Sequence, residues 1–261
     1  MLQQTQVSRV LIKYPPFLKR FPDIRSLAVS KRRDVVLAWQ GMGYNNRAVR
    51  LHTLSKIVFS DHAGVLPSDF VSLASLPGIG RYTANAVLSS AFRKRVPIVD
   101  TNVHRVLSRV VSGRKSVTDR LPLSESWDLA GILLPRRRSH DWNQALMDLG
   151  ATLCTATSPS CPACPVSQVC ASAGKLAGPE WKPKRRERSF HGIPNRIHRG
   201  RVVDILRNEP MVPMTRLGRL LHPSFSQRNM KWLEALLESL ETDGLVRIGR
   251  SVRGTRRVSL A

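Results

Sequence analysis

The four cysteines of the chain are the residues whose type and spacing point most directly to chemistry: Cys154, Cys161, Cys164 and Cys170. A disulfide pair would need an oxidising compartment, and we expect no secretory leader at the N-terminus. A structural zinc is the second alternative, because Cys161-Pro-Ala-Cys164 is a half-site, although zinc sites usually bring two such pairs separated by a longer loop. Four thiolates at uneven spacing instead favour a [4Fe-4S] cluster, which is held by four cysteine sulfurs.

The charge of the chain predicts a polyanionic partner. Its 261 residues include 42 lysines and arginines against 18 acidic residues, which gives a formal net charge of +24. The phosphate backbone of a nucleic acid is the obvious partner, and charge alone does not separate DNA from RNA. We expect no membrane association, because the basic residues are spread over the chain and no apolar run is long enough to span a bilayer.

Hydrophobic spacing predicts that the first 175 residues are all-α. Apolar residues recur at helical spacing in eight stretches: 7–21, 33–41, 46–59, 68–76, 82–92, 103–111, 127–134 and 142–154. Short breaks are expected at Pro15-Pro16, Gly41, Gly64, Pro67, Pro77-Gly78 and Pro97. A first lobe would span residues 1–95, and a second lobe, which carries Asp100 and the cysteines, would span residues 96–175.

The rest of the chain predicts a linker and then a small α+β module. Residues 176–198 form a basic linker that contains Lys182-Pro-Lys184-Arg185-Arg186. Residues 199–261 offer helices at 200–208, 214–222 and 227–242, followed by a hairpin in which 245–248 pairs with 257–260. This order resembles a winged helix-turn-helix, and a packing or dimerisation domain is the alternative. The arginines that could contact phosphate there are Arg216, Arg219, Arg228, Arg253, Arg256 and Arg257.

A glycine-rich turn and a downstream aspartate form a second candidate site. In the segment 76–84 (LPGIGRYTA), Gly78 and Gly80 permit positive φ and a close approach of the backbone to a ligand. The helix that follows points its first N–H groups at the turn, which suits a phosphate. Twenty residues after Gly80, Asp100 begins another helix. Taken alone, the two glycines could be needed only to form the turn between two helices, and Asp100 could be an ordinary N-cap.

The combination of this turn, Asp100 and the cysteine segment resembles the signature of the helix-hairpin-helix, iron-sulfur DNA glycosylases of the endonuclease III superfamily. Within that superfamily the chain looks most like the MutY-type adenine glycosylases. Three further segments carry the resemblance, which covers residues 1–175: 1–7 (MLQQTQV), 39–48 (WQGMGYNNRA) and 142–151 (WNQALMDLGA). The resemblance implies a two-lobed helical fold with a [4Fe-4S] loop.

The resemblance also implies an enzyme of base excision repair that cleaves the N-glycosidic bond of adenine mispaired with guanine or 8-oxoguanine. Asp100 would stabilise the positive charge that builds on the sugar, and Asn102 would help to orient the sugar-phosphate. Tyr82 occupies the position where lyase-competent members carry a lysine nucleophile, so no Schiff base is expected and the glycosylase would be monofunctional. The residues expected to bind DNA, with Gln4 and Tyr44 as wedges, are Gln3, Gln4, Tyr44, Gly78, Gly80 and Arg81.

We therefore expect a monomer that acts on mismatched or oxidised double-stranded DNA in a bacterial-type cytoplasm, associated with the nucleoid. Two departures from the family pattern qualify this expectation. The glutamate that protonates the departing purine would lie two residues before Met1, and no glutamate occurs before Glu125. We expect that residue to be encoded upstream and the 261-residue chain alone to be an impaired catalyst. The alternatives are a glycosylase for thymine or uracil mismatched with guanine, or a non-catalytic DNA-binding protein.

The second departure concerns the C-terminal module. In the family, a C-terminal domain reads the 8-oxoguanine that faces the adenine, and residues 199–261 do not resemble that domain. Specificity for 8-oxoguanine therefore does not follow from this part of the sequence.

Overall fold

The computed structural model describes residues 1–113, 116, 118–176, 187–250 and 254–261. The predicted basic run 182–186 and Arg253 lie outside the described residues. The helices are α1 Val7–Arg20, α2 Ile24–Val29, α3 Arg32–Ala38, α4 Asn46–Asp61, α5 Phe70–Ser75, α6 Arg81–Ser90, α7 Thr101–Ser112, α8 Leu123–Ile132, α9 Ser139–Thr152, α10 Asn195–Asn208, α11 Met214–Leu221 and α12 Met230–Thr242. Each of the eight predicted helical stretches in the first 175 residues overlaps one of these helices. Only α2 was missed there, because six residues are too few to show a period.

The helix break predicted at Pro15-Pro16 was wrong, because α1 continues through both prolines. A proline ring holds φ near its helical value. Proline destabilises a helix because it lacks an N–H donor and because its ring crowds the preceding turn. Both rings lie on the exposed side of α1, where water can hydrogen-bond the carbonyls that lose a partner. On the opposite side Val10 and Phe17 are buried. Packing of that apolar side therefore outweighs the lost backbone bonds.

The described strands lie in the C-terminal part of the chain. β1 Ser189–Phe190 pairs with β2 Ile193–Pro194, and a second antiparallel sheet has the order β3-β5-β4. Its strands are β3 Val212–Pro213, β4 Val246–Arg250 and β5 Arg256–Leu260, and both Val212 and Ile248 face Val258. The three predicted helices and the predicted hairpin of residues 199–261 are confirmed. Strands β1 to β3 were not predicted, because two residues show no alternation.

The chain forms two compact units, Met1–Leu66 together with Arg185–Ala261, and Pro67–Lys184. In the first unit, the N-terminal helices and the C-terminal module share one apolar core. Val35 and Ala48 come from one end of the chain and Leu206 and Leu237 from the other, and all four are fully buried. The predicted segments 1–95, 96–175, 176–198 and 199–261 do not coincide with these units, and their standing as domains remains a prediction.

The second unit contains α5 to α9 and the cysteine segment. Its core includes Val99, Val103 and Leu107, which pack against Trp127 and Ala130 of α8. Val99 and Val103 flank Asp100 in sequence, so this core fixes the chain on both sides of the aspartate. Within the described residues, no helix combines the length and apolar character needed to cross a membrane.

Ion pairs inside the C-terminal module engage two of the arginines that were expected to contact phosphate. Arg216 binds both carboxylate oxygens of Glu209, at 2.6 and 3.0 Å, and Arg256 donates to Glu234 at 2.5 Å. Arg219 and Arg228 are exposed and form no ion pair within the described part of the chain. The positive charge that this module offers to a polyanion is therefore smaller than its composition indicates.

Candidate active site

Asp100 lies at the N-terminus of α7 and its carboxylate is held by two hydrogen bonds. One oxygen accepts from the backbone N–H of Val103 at 2.7 Å, and the other accepts from the side-chain amide of Asn102 at 3.0 Å. The residue is half-buried, and the positive end of the helix dipole favours its negative charge. Asp100 is thus an N-cap, as the simpler interpretation of the sequence held. The same bonds also fix a carboxylate in one orientation, which a catalytic role requires.

The segment that leads into Asp100 is held by a buried asparagine of α9. Asn143 is 1% exposed; its amide nitrogen donates to the carbonyl of Val96 at 2.9 Å and its oxygen accepts from the backbone N–H of Ile98 at 3.2 Å. Both ends of the amide are used, so the extended segment has the backbone partners that a strand would otherwise supply. Asn143 therefore sets the position from which α7 begins.

A chain of hydrogen bonds continues from Asp100 along α7 to the cysteine segment. The side-chain oxygen of Asn102 accepts from Arg105 at 2.8 Å, and Arg105 also donates to the carbonyl of Gly150 at 2.6 Å and to that of Cys154 at 2.8 Å. Arg105 is only 7% exposed, so these acceptors stabilise a buried charge. A Cβ at Gly150 would lie 2.7 Å from that of Asn102, so α7 and α9 can approach this closely only because residue 150 is glycine.

Tyr82 stands on the first turn of α6, after the glycine-rich turn. Burial raises the pKa of its phenol, and the negative charge of Asp100 raises it further. The phenol therefore stays protonated and neutral near pH 7. Tyr82 and Asp100, two of the predicted site residues, lie in the same unit.

The glycine-rich turn uses its two glycines differently. Gly78 has a φ of +83°, the left-handed region in which glycine is favoured. Gly80 has a φ of −94° and does not use the positive φ that glycine permits; a Cβ there would meet nothing within 4 Å. The open space in front of Gly80 fits the expected close approach of a ligand. Arg81 is exposed, and its guanidinium lies 4.2 Å from the ring centre of Trp127.

The predicted wedge residues belong to the other unit and have strained backbones. Gln4 has a φ of +57° and Tyr44 a φ of +43°. A non-glycine residue in this region costs on the order of 1–3 kcal/mol and persists only where surrounding contacts impose it. Both side chains are exposed, Tyr44 to 60%. Strained and exposed side chains of this kind are typical of residues that serve a partner.

Arg47 supplies the contacts that impose this strain. Its guanidinium donates to the carbonyls of Met1, Gln3 and Met42 and to the hydroxyl of Thr5. It therefore ties the N-terminal segment to the loop that carries Tyr44. The fixed planar fork of arginine can bind several acceptors at once, which a lysine ammonium could not do in the same geometry.

The four cysteines line one small cavity of about 20 Å³, and none of them forms a disulfide. Burial raises the pKa of Cys170, and the charges of the other three cysteines raise it further. Among the described residues, no three histidines, cysteines or acids are grouped as ligands of one metal ion. Four cysteine sulfurs are the ligand set that holds a [4Fe-4S] group.

Arg109 connects this cavity to α7. The side chain is 1% exposed, and it donates to the sulfur of Cys154 at 3.3 Å and to the carbonyls of Thr155 and Ala156 at 2.8 and 3.1 Å. Donors directed at a thiolate stabilise its charge.

Sequence reasoning assigned no role to Arg47, Arg105, Arg109 or Asn143. The one available signal was the pair Arg105 and Arg109, four residues apart on the apolar side of an amphipathic helix. A buried cation at such a position requires acceptors, but their identity comes from the tertiary fold.

Comparison with known proteins agrees with this geometry. Residues 1–128 match the HhH-GPD superfamily of base excision DNA repair proteins. An adenine DNA glycosylase of Mycobacterium tuberculosis is 38% identical over 252 residues, which cover 94% of this chain and 79% of the relative. The fold is similar to that of a thermostable thymine-DNA glycosylase, with a TM-score of 0.61 and 29% identity over 67% of this chain and 80% of that one.

A second similar structure is a non-covalent endonuclease III–DNA complex, with a TM-score of 0.59 and 25% identity over 67% of this chain and 80% of that one. The expected helical fold of the endonuclease III type is thus confirmed. Since the mycobacterial relative is aligned over most of both chains, the chain belongs to the adenine DNA glycosylase family of the HhH-GPD superfamily.

Proposed function

We propose that this chain is a monofunctional glycosylase that hydrolyses the bond between adenine and deoxyribose where adenine faces guanine or 8-oxoguanine. The observation that carries the proposal is the fixed, half-buried carboxylate of Asp100 at the start of α7. Membership of the adenine DNA glycosylase family supports the choice of base. The protein would act as a monomer on chromosomal DNA in the cytoplasm.

Asp100 would act on the sugar and not on the base. When the glycosidic bond breaks, positive charge develops on the deoxyribose, and a fixed carboxylate nearby lowers the energy of that cation. Asn102 and the N–H of Val103 hold the carboxylate in place, so little reorganisation is needed when the charge forms. Water then completes the hydrolysis, and the product is an abasic site.

The adenine must leave the helix before Asp100 can act, and the gap must be filled. Gln4 and Tyr44 would enter the duplex there, since both are exposed and held rigidly by the contacts of Arg47. Tyr82 would lie near the sugar as a neutral phenol. Because Tyr82 offers no amine, the abasic product is not captured as a Schiff base.

The four cysteines would hold a [4Fe-4S] cluster, with Arg109 donating to the sulfur of Cys154. Its role would be structural, because it fixes the loop that begins at the end of α9. We expect the purified protein to be brown and to contain about four iron atoms per chain. A colourless protein that carries one zinc would contradict this assignment.

The C-terminal module would act as a winged-helix-like DNA-binding element. The order of helices α10 to α12 and the presence of the β3-β5-β4 sheet support this proposal. The exposed Arg219 and Arg228 could contact phosphate, and each contact would steepen the salt dependence of binding.

The test is base release from a panel of duplexes. Adenine would be placed opposite guanine, 8-oxoguanine, cytosine and thymine, and thymine and uracil would be placed opposite guanine. Strand breaks are measured with and without alkali, since an intact abasic site breaks only after alkali treatment. We expect release of adenine opposite guanine and 8-oxoguanine, with little breakage before alkali.

One control completes the test. Borohydride is added to a parallel reaction on abasic DNA, and a strong covalent adduct would contradict the monofunctional assignment. Release of thymine or uracil in place of adenine would support the mismatch alternative, and binding without release would support a non-catalytic role.

A further inference from the structure

Six basic residues lie on two adjoining loops of the second unit. One loop follows α6 and the other joins α8 to α9. The six residues, which we call the distal patch, are all exposed: Arg93, Lys94, Arg95, Arg136, Arg137 and Arg138. The guanidinium of Arg95 connects the loops, since it donates to the carbonyl of Pro135 at 3.1 Å and to that of Leu134. The two stretches of sequence therefore form one surface.

Acidic residues balance little of the charge of the distal patch. Residues 91–98 and 133–138 contain no acid. Asp141, on the first turn of α9, pairs with Arg138 at 2.8 Å. Three of the cations form no ion pair with any described residue: Lys94, Arg136 and Arg137. Like charges at this density repel one another, and a polyanion that binds here relieves the repulsion.

The backbone of both loops is held in a conformation that arginine does not favour. Arg93 has a φ of +53° and Arg138 a φ of +57°. A non-glycine residue in this region costs on the order of 1–3 kcal/mol and persists only where surrounding contacts impose it. The bonds from Arg95 supply such contacts, as does the bond between Ser89 and His140 at 3.4 Å. The distal patch is therefore braced, so less ordering is needed when a partner binds.

The distal patch lies at the opposite ends of α6 and α9 from the proposed catalytic site. Helix α6 has 10 residues and is about 15 Å long, and it separates the patch from the glycine-rich turn. About 16 Å of α9 separates the patch from Gly150, which packs against Asn102 beside Asp100. The first N–H groups of α6 would point at DNA bound at the turn. A duplex bound there meets α6 at its N-terminal end, and the patch lies at the other end.

We propose that the distal patch binds the phosphate backbone of a second DNA duplex while the first duplex is held at Asp100. Lys94, Arg136 and Arg137 contact the phosphates of this second duplex. The position of the first duplex rests on the proposed function. Under that function the protein works among many stretches of chromosomal DNA, so duplex is the polyanion that it meets most often. Two sites allow it to pass from one stretch to another without release into solution.

The test compares two variants that each lose three exposed cations. The patch variant combines Lys94→Gln, Arg136→Gln and Arg137→Gln. The control variant combines Lys19→Gln, Arg25→Gln and Lys31→Gln, three exposed residues of the first unit that form no ion pair with any described residue. Both variants have the same net charge, so a difference between them reports the position of the charges. Circular dichroism and melting temperature are measured for both, to show that they fold as wild type does.

The assay asks whether a protein that holds one duplex captures another. The first duplex is biotinylated, is attached to beads and carries 2′-fluoro-deoxyadenosine opposite guanine. The fluorine resists cleavage, so the protein is held without turnover. The loaded beads are mixed with a fluorescent, fully paired duplex at several salt concentrations, and the captured fluorescence gives the affinity for this second duplex. Protein that remains on the beads is measured at the same time.

We expect wild type and the control variant to capture the second duplex with similar affinity. The patch variant should capture it more weakly, and its slope of log K against log salt should be shallower by about 2–3, because each phosphate contact contributes about 0.9. All three proteins should stay on the first duplex equally. A fourth protein, with Arg136→Lys and Arg137→Lys, keeps the charge and should capture the second duplex nearly as well as wild type.

The proposal is overturned if the patch variant and the control variant capture the second duplex alike, or if wild type captures none. Capture of fluorescent polyglutamate by wild type in place of duplex would also overturn it, because the patch would then serve an acidic protein. Failure of the proposed function gives a different result. If wild type releases no adenine but the two variants differ as expected, the patch binds DNA and the glycosylase proposal fails. If adenine is released and the variants do not differ, the glycosylase proposal stands and the second site falls.

Discussion

Replacement of Asp100 by asparagine separates its two roles, because an asparagine can cap a helix but carries no charge. The bond to the N–H of Val103 can be made by the amide oxygen of asparagine, and the two residues are about equally good N-caps. Loss of the charge at the start of α7 removes a helix-dipole contribution of about 0.3–1 kcal/mol. The bond from the Asn102 amide is also lost, because the NH2 group of an asparagine cannot accept it, at a cost of about 0.5–1.5 kcal/mol. We therefore expect the free energy of unfolding to fall by about 1–2.5 kcal/mol.

The effect of Asp100→Asn on catalysis should be much larger. Removal of one fixed electrostatic group that acts on the transition state costs about 100- to 1,000-fold in rate, or about 2.7–4 kcal/mol. The assay is single-turnover release of adenine opposite guanine, with enzyme in excess so that product release does not enter the rate. Duplex binding is measured in parallel and should change little. Asp100→Ala should lose the cap as well, at a further cost of about 1 kcal/mol in stability.

Asp69 provides the matched control, because it caps α5 in the same unit through the same type of bond to the backbone N–H three residues later. Its carboxylate accepts from the backbone N–H of Ser72 at 2.9 Å. Asp69→Asn and Asp69→Ala should reproduce the loss of stability that comes from the helix cap, without the loss of rate. Unchanged turnover in Asp100→Asn, or an equal loss of rate in Asp69→Asn, would show that Asp100 is a cap and nothing more.

Three further predictions follow from the geometry. Gly150→Ala should lower the free energy of unfolding by about 1–3 kcal/mol, because the new Cβ would overlap Asn102. Gly131→Ala, whose Cβ would have no neighbour within 4 Å, should raise it by about 0.5–1 kcal/mol. Urea unfolding measures both changes. Burial, with nearby positive charge, lowers the pKa of His52, so at acidic pH the unfolded chain binds a proton that the folded chain does not. The free energy of unfolding should therefore fall as the pH drops below about 6.5, and it should fall less steeply in His52→Gln. Arg47→Lys keeps the positive charge but loses the planar guanidinium that binds several acceptors at once, so the affinity for duplex DNA should fall while the iron content is unchanged. Equal affinity of the variant and wild type in anisotropy titrations would show that Arg47 does not hold the wedge residues in place.

The sequence allowed prediction of most helices, because each has an apolar side that recurs at helical spacing. It did not allow prediction of what happens at Pro15 and Pro16, since the buried contacts of Val10 and Phe17 decide that outcome. The cysteines and Asp100 could be selected as candidates because their residue types are chemically distinctive.

The supporting residues of the site could not be selected in the same way. Arg105 binds the carbonyls of Gly150 and Cys154, and a carbonyl leaves no signature in a sequence. The common core of residues 1–66 and 185–261 was also unpredictable, because it depends on packing between segments that are distant along the chain. Local patterns thus identified the elements and the reactive groups, while long-range packing decided how they are braced.

That common core sets the order in which the protein can fold as it leaves the ribosome. The nascent chain emerges from its N-terminus, and Met1–Leu66 must wait for residues 185–261, whereas Pro67–Lys184 can close as soon as it has been made. A premature stop codon after residue 184 would therefore leave the apolar surfaces of α1 to α4 uncovered. Such a fragment is expected to aggregate or be degraded, even though it retains Asp100 and all four cysteines.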